Sequence, residues 1–295
     1  MAAERARIGF VGLGIMGTAM TLRLLEQGWP VTVWNLEPER VPPLVAAGAV
    51  AAQSPEQVTR TSDIVIMCVL HTDAVRECVF GAQGIAAAAG ADKILIDHST
   101  IDPAATREMA TQLQAKSGMG WVDAPVSGGP VQSRSGTLTI MAGGDARDIE
   151  AIRPVMADLA ANFTHIGPSG AGQTAKMINQ LIVGSTYVVL AEALTLAEAA
   201  GVDASRLPQC LAGGHADSTL LKHLYPQMQA RDFDPPRAYA RQLLKDLKAV
   251  TAEAHQLALS LPMLEAATRR YADYVGQGNG MKDTASIVNS YRPAA

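Results

Sequence analysis

The stretch Ile8-Gly9-Phe10-Val11-Gly12-Leu13-Gly14-Ile15-Met16-Gly17 decides the fold. A short apolar run leads straight into G-x-G-x-x-G, and a helical pattern over residues 18–27 follows at once. Between a strand and a helix, three glycines at this spacing make a dinucleotide-binding turn. The first permits the tight turn, the second lets backbone approach a pyrophosphate, and the third lets helix pack closely on strand. The helix N-terminus adds unpaired N–H groups and its dipole. Gly12, Leu13, Gly14, Ile15, Met16 and Gly17 are therefore expected to bind a nicotinamide dinucleotide.

Outward from this turn, short apolar runs recur at Val31–Trp34 and at residues 64–69, 94–96, 121–122 and 138–141. Helical patterns over residues 39–47, Thr72–Phe80, residues 103–116 and Ala146–Leu159 separate them. Near-continuous apolar strands alternating with helices predict a parallel sheet covered on both faces. Past Gly167 no strand-like run follows. Residues 174–200 read as one helix on the order of 40 Å long at about 1.5 Å per residue. Its nearly all-round apolar surface predicts burial on most sides. Later helices are expected over residues 204–211, 219–229, 237–259, 262–275 and 284–290. The expected architecture is an α/β Rossmann-type domain with a mainly parallel sheet (1–167), followed by an all-α domain (168–295) joined to it by the long helix.

Composition excludes several classes of partner. The chain has 24 Lys+Arg against 28 Asp+Glu, a formal charge of −4, and shows no basic run to hold nucleic acid. Cys68, Cys78 and Cys210 lie far apart, in no metal or redox spacing, which fits reduced thiols in the cytoplasm. The histidines lack the paired spacings of a zinc site, so no metal is expected. The uncharged run 177–191 falls short of the roughly 18 residues of a membrane span. The glycine-bearing N-terminus is better read as the dinucleotide turn than as a signal peptide.

The end of the second strand chooses between NAD and NADP, because an acid there bonds the ribose 2′-OH whereas an arginine takes a 2′-phosphate. Here the chain reads Asn35-Leu36-Glu37-Pro38-Glu39-Arg40. Asn35 lacks the charge that repels a phosphate, a slight lean to NADP, while Arg40 reads equally as a phosphate contact or as a solvated helix residue. Leu36 supplies no arginine, and Glu37 could serve a ribose diol, so NAD stays open.

Three further segments carry chemistry. Asp123-Ala124-Pro125-Val126-Ser127-Gly128-Gly129 follows a strand and sets a hydroxyl beside consecutive backbone N–H groups, a concavity suited to a carboxylate. Ser99-Thr100 ends another strand in a similar way. Gly170-Ala171-Gly172-Gln173-Thr174-Ala175-Lys176-Met177-Ile178-Asn179-Gln180 places one lysine and two carboxamides on one helix face, since positions three and four beyond Lys176 are its neighbours.

In their order and spacing, Gly9–Gly17, Ser99-Thr100, Asp123–Gly129, Gly136-Thr137-Leu138, Gly170–Gln180 and Lys245-Asp246-Leu247 resemble the β-hydroxyacid dehydrogenases over nearly the whole chain. That family includes 3-hydroxyisobutyrate dehydrogenase and tartronate semialdehyde reductase. Residues 176–183 and Arg231-Asp232-Phe233 resemble the latter branch most. The resemblance implies a hydride exchange between NAD(P) and a small β-hydroxy acid or semialdehyde, with Lys176 as general acid/base. It implies that Ser127, Gly128 and Gly129 cradle the substrate carboxylate, with Asn179 or Gln180 and Lys245 as further substrate contacts. The family often has Asn at both amide positions, so which of the two points inward is open. Cofactor contacts are implied at the glycine turn and at Asn35, Leu36, Arg40, Val69, Leu70, Thr100 and Lys245. The loop Val69-Leu70-His71-Thr72 departs from the family's common Leu-Pro pair, and His215 and Asp217 fall where family members vary with substrate. A homo-oligomer is implied as well. The alternatives are an imine reductase-like enzyme, which does not use a lysine here, and a non-catalytic scaffold of the same fold.

Overall fold

The computed structural model describes residues 5–291, and the chain divides after Lys176 into two compact units. In the first, nine strands form one sheet: β1 (Ile8–Val11), β2 (Val31–Trp34), β3 (Val50–Ala51), β4 (Ile64–Met67), β5 (Ile94–Asp97), β6 (Gly120–Asp123), β7 (Val126–Ser127), β8 (Leu138–Gly143) and β9 (Ala160–Gly167). Its order is β3-β2-β1-β4-β5-β6-β8-β7, with β9 paired to β8. The six strands from β3 to β6 run parallel, whereas β8 is antiparallel to β6 and β7. Strand order reverses between β1 and β4, so a ligand crevice opens beyond the carboxyl ends of those strands.

The connections are α1 (Ile15–Glu26), α2 (Pro42–Ala46), α3 (Pro55–Arg60), α4 (Thr72–Phe80), α5 (Pro103–Ser117), α6 (Pro130–Ser135) and α7 (Ala146–Leu159). Alternation along each strand sends side chains to opposite faces, and a separate core fills each. Ile8, Phe10, Val33 and Ile66 pack with Met20 and Leu24 of α1 and Ile152 and Met156 of α7. Val11, Val65, Met67 and Leu95 pack on the other face with Val58, Val75, Val79, Met109 and Leu113. Both sheet faces are thereby covered, and the Rossmann-type reading holds.

Five elements fall outside the sequence expectation. β3 is two exposed residues, too short for any periodic signal, and α3 and α6 are single six-residue helices behind a proline. β7 lies inside the supposed turn after β6, where pairing to β8 and not propensity makes it a strand. β9 is an edge strand whose residues are all partly or fully exposed, so it carries no apolar run.

The long helix α8 (Ala171–Ala199) starts in the first unit and continues into the second. There it joins α9 (Leu207–Cys210), α10 (Thr219–Ala230), α11 (Ala240–Gln256), α12 (Pro262–Tyr274) and a 3-10 segment, Thr284–Tyr291. Val188, Ala191 and Leu194 of α8 pack into a core with Leu224, Tyr225, Met228, Leu247, Tyr271 and Ile287. The expected burial of α8 on most sides is not met. Ile178 and Ile182 are each 57% exposed and Leu196 70%, because only one stripe of the helix enters this core. Counting residues 177–191 alone also understated the helix: by length and composition α8 is long and apolar enough to cross a membrane. Its inner stripe, though, is built into the helical core, which a span would have to give up.

Candidate active site

The dinucleotide turn is fixed by lack of room. Gly12 sits at φ +96°, and a Cβ there would collide with the carbonyl oxygen of Cys68. A Cβ on Gly17 would collide with the carbonyl oxygen of Gly12, so α1 can lie this close to β1 only with glycine there. Above Gly14 the situation reverses, with no atom within 4 Å of an added Cβ. Gly14 is also the N-cap of α1, which has no side-chain cap and no acid in its first turn. Open space over unneutralised N–H groups fits a pyrophosphate. Ile15 is exposed beside it, and Met16 is half-buried under the Ser133 hydroxyl.

At the end of β2 the Asn35 side chain is buried and engaged at both ends. Its Oδ1 accepts the Leu13 N–H at 2.6 Å, and its Nδ2 donates to the Glu37 carboxylate at 2.7 Å. Asn35 thus braces the glycine turn and orients Glu37. The exposed groups here are Leu36, Glu37 and Arg40, the last with its Nε 3.8 Å from the Glu37 carboxylate.

Beyond β4 and β5, the Val69 N–H donates to the Ser99 hydroxyl at 2.9 Å, tying the two loops. Leu70 is exposed, and Thr100 is half-buried just past Ser99. The Leu-Pro departure has a structural counterpart: the His71 Nδ1 accepts the Ala74 N–H and caps α4. Asp97 is fully buried; its Oδ1 accepts the Ser99 N–H, and Oδ2 has no hydrogen bond. Burial pushes its carboxyl up to about 7, with the nearby Asp123 adding to the effect. Burial likewise lowers the neighbouring His98 to about 4, while its Nδ1 lies 2.6 Å from the Ala124 carbonyl oxygen.

Asp123 ends β6 and fastens the start of α8. Its Oδ1 accepts the Gly170 N–H at 2.7 Å and its Oδ2 the Gln173 N–H at 2.9 Å. Burial raises this carboxyl to about 6 against the pull of those donors. The chain then runs through β7 to Gly128 and Gly129, at φ +139° and +85°, a region favouring glycine, and into α6. Lys176 is 8% exposed, and its Nζ donates to the Val126 carbonyl at 2.9 Å. The ammonium therefore stands beside the residue preceding Ser127. Ser127, Gly128, Gly129 and Lys176 come together at the carboxyl edge of the sheet that also carries the glycine turn and Thr100.

In the second unit Asn179, Gln180 and Lys245 join one chain of side chains. Asn179 Nδ2 donates to Gln180 Oε1 at 2.9 Å, and Gln180 Nε2 donates to Asp246 Oδ2 at 2.7 Å. The other Asp246 oxygen lies 3.3 Å from Lys245 Nζ. Both ends of the Gln180 amide are thus engaged by Asn179 and Asp246. His215 is exposed, and the Asp217 carboxylate binds the Gly213 N–H of its own loop and the Lys222 ammonium of α10. The backbone bond from Gly213, with Lys222 second, lowers its pKa. Sequence reading missed Asp246 as a partner of Gln180, and Asp123 and Gln173 as fasteners of the lysine helix. Asp123 and Asp246 lay inside motifs already singled out, but their partners stand 47 or more residues away along the chain.

The arrangement can hold a dinucleotide along the glycine turn and supply an ammonium next to an anion-binding turn. Comparisons with known proteins bear on the family and on the dinucleotide-binding domain. Residues 7–167 match the NAD binding domain of 6-phosphogluconate dehydrogenase, and residues 170–291 match the model described as NAD-binding of NADP-dependent 3-hydroxyisobutyrate dehydrogenase. The chain is 37% identical to the 2-hydroxy-3-oxopropionate reductase of Escherichia coli K12, over 96% of each chain. A Salmonella typhimurium 3-hydroxyisobutyrate dehydrogenase structure superposes with TM-score 0.87 at 29% identity, covering 97% of this chain and 100% of that one. The Mycobacterium tuberculosis 3-hydroxyisobutyrate dehydrogenase, solved with L-serine, superposes with TM-score 0.88 at 28% identity, covering 98% and 100%.

Proposed function

The chain belongs to the 3-hydroxyisobutyrate dehydrogenase family, and within it we propose that this member interconverts a short β-hydroxy acid and its semialdehyde, with tartronate semialdehyde (2-hydroxy-3-oxopropionate) as the substrate to be reduced. The chain is an NAD(P)-dependent hydroxyacid dehydrogenase. The finer reading rests on one observation above all: the Lys176 ammonium is buried and held at the Val126 carbonyl, next to Ser127 and the two positive-φ glycines. The E. coli relative's activity supports the three-carbon semialdehyde, and L-serine in the M. tuberculosis structure is a β-hydroxy acid of the same length.

When bound, the nicotinamide supplies or takes the hydride. The Ser127 hydroxyl and the N–H groups of Gly128 and Gly129 hold the substrate carboxylate, which turns a collision into an oriented pair. In reduction Lys176 donates a proton to the aldehyde oxygen as negative charge develops there. In oxidation its neutral amine accepts the alcohol proton. An acid/base so placed contributes about 10²–10⁴-fold, and the ammonium stabilises the developing alkoxide. The family resemblance supports Asn179 or Gln180, and Lys245, as further substrate contacts, with Lys245 a cofactor contact as well. Gly12, Leu13, Gly14, Ile15, Met16 and Gly17 would hold the pyrophosphate, and Leu36, Arg40, Val69, Leu70 and Thr100 would hold the rest of the cofactor. Asn35 serves it through Leu13 and Glu37.

The exposed apolar residues of α8 support a homo-oligomer, and the free cysteines support the cytoplasm. A panel of short hydroxy acids and semialdehydes, each assayed with NADH and NADPH, tests the substrate assignment. Tartronate semialdehyde is expected to give the highest kcat/KM. A higher value for 3-hydroxyisobutyrate or another branched acid would replace the assignment, and activity on imines alone would overturn it.

A further inference from the structure

We propose that Gln173 is a positioning residue for hydride transfer, holding the helical turn of Lys176 in register with the loop that carries Thr100. The proposal rests on the reading of Lys176 as acid/base and Thr100 as a cofactor contact. Gln173 is fully buried, and all its polar groups at this junction are directed to other segments. Its Nε2 donates to the Ser99 carbonyl at 2.8 Å, and its Oε1 accepts the Ile101 N–H at 3.2 Å. These two bonds bracket Thr100. Its own N–H goes to Asp123 at 2.9 Å. One residue thereby joins the end of β5, the end of β6 and the first turn of α8.

Lys176 follows three positions later on the same helix, so its Cβ lies about 5–6 Å from that of Gln173. The contact admits no slack. A Cβ on Gly172 would collide with the carbonyl oxygens of Asp123 and Met141, so the helix lies against β6 and β8 at backbone distance. The Ser99 loop is fixed from its other side as well, by Asp97 on the Ser99 N–H and by Val69 on the Ser99 hydroxyl. Without the Gln173 amide, the Ser99 carbonyl and Ile101 N–H lose their buried partners, and the loop and lysine turn shift independently. A displacement of about 1 Å between reacting groups costs about 100-fold in rate.

The test is Gln173→Met, similar in length but without the amide, with near-isosteric Gln173→Glu as a second variant should the first fold poorly. Both are assayed with the best substrate of the panel and with NAD(P)H deuterated at the transferred position. The expected result is a kcat lowered about 10- to 100-fold and a larger primary deuterium isotope effect, with KM and cofactor Kd changed less than about threefold. Gln173→Glu keeps an acceptor for Ile101 and is expected to lose less. A parallel loss in cofactor binding with an unchanged isotope effect would make Gln173 a purely structural brace and overturn the proposal, as would unaltered kcat. Lys176→Ala separates the two levels: if it stays active, the acid/base reading fails; if it is inactive while Gln173→Met is normal, only this inference fails.

Discussion

The turn after β1 and the turn after β6 lie along one edge of one sheet, and both are built on glycines, but opposite means hold them. In the first, Gly12 and Gly17 leave no room for a side chain: Gly17 is confined by Gly12 within the same ten residues, and the distant groups, the Cys68 carbonyl and Asn35, only wall and brace that turn. In the second, the shape depends on groups far along the chain. Asp123 is met by backbone donors 47 and 50 residues later, and Val126 by a lysine 50 residues later. A site for an invariant cofactor can be rigid and local. A site whose acid must meet a particular substrate is assembled from distant parts, where exchanging one part alters chemistry and leaves the cofactor in place.

The comparison breaks most visibly in the first turn. Gly17→Ala forces a methyl group into the Gly12 carbonyl; overpacking of roughly 1–3 kcal/mol is expected to weaken NAD(P)H binding by up to about 100-fold. Isothermal titration giving a Kd within a factor of three of wild type would refute the account of that turn. In the second turn, Ser127→Ala removes a hydrogen bond to a charged group, and KM for the acid should rise about 10-fold or more. Cofactor Kd should hardly move in this variant, and an equal loss of both would erase the distinction between the two turns.

Smaller effects sharpen it. The Glu37 carboxylate is oriented by Asn35 and pairs with Arg40, and it would oppose a 2′-phosphate bound beside it. Glu37→Gln removes that opposition and frees Arg40. The ratio of kcat/KM with NADPH to that with NADH should rise about fivefold, an interaction of about 1 kcal/mol between partly exposed charges. An unchanged or falling ratio would remove Glu37 from cofactor choice.

Asp97 gives the smallest effect, read as stability against pH. Its carboxyl stands near 7 in the folded chain, raised by burial, against an ordinary value of 3.8. The folded state then binds the proton more tightly than the unfolded state. The stability linked to this group is fully present below about pH 4 and declines as pH rises from about 4 to 7. Asp97→Asn keeps the Oδ1 acceptor for Ser99 and removes the buried charge. Its Tm should exceed that of wild type by a few degrees at pH 8 and converge with it towards pH 4. A variant less stable than wild type at pH 8 would contradict the burial argument.

How much of this was legible follows the same division. Strands β1, β2, β4, β5 and β6 stood out as apolar runs, and α4 and α7 through the helical spacing of their buried apolar residues. β7 and β9 did not, since pairing with β8 creates them and their own residues are partly exposed. Within the site, the glycine turn could be read letter by letter. Lys176 and the Ser127 turn were joined only through the family resemblance, because nothing in residues 123–129 announces a partner at 170–176. Gln173 was invisible as more than a helix residue: a buried amide shows its meaning only through what it bonds. Asn35 was read as a cofactor contact lacking the charge of the acid usual at its position, while its bond to Leu13 could be seen only in the fold.

The central claim is that Lys176 moves the proton that accompanies hydride transfer to a short semialdehyde. Lys176→Ala, assayed in single turnover with NAD(P)H and tartronate semialdehyde, tests it most directly. The account predicts a rate lowered at least about 100-fold, with cofactor Kd within a factor of about three of wild type. A rate within about threefold of wild type would contradict it and return the acid/base role to another group.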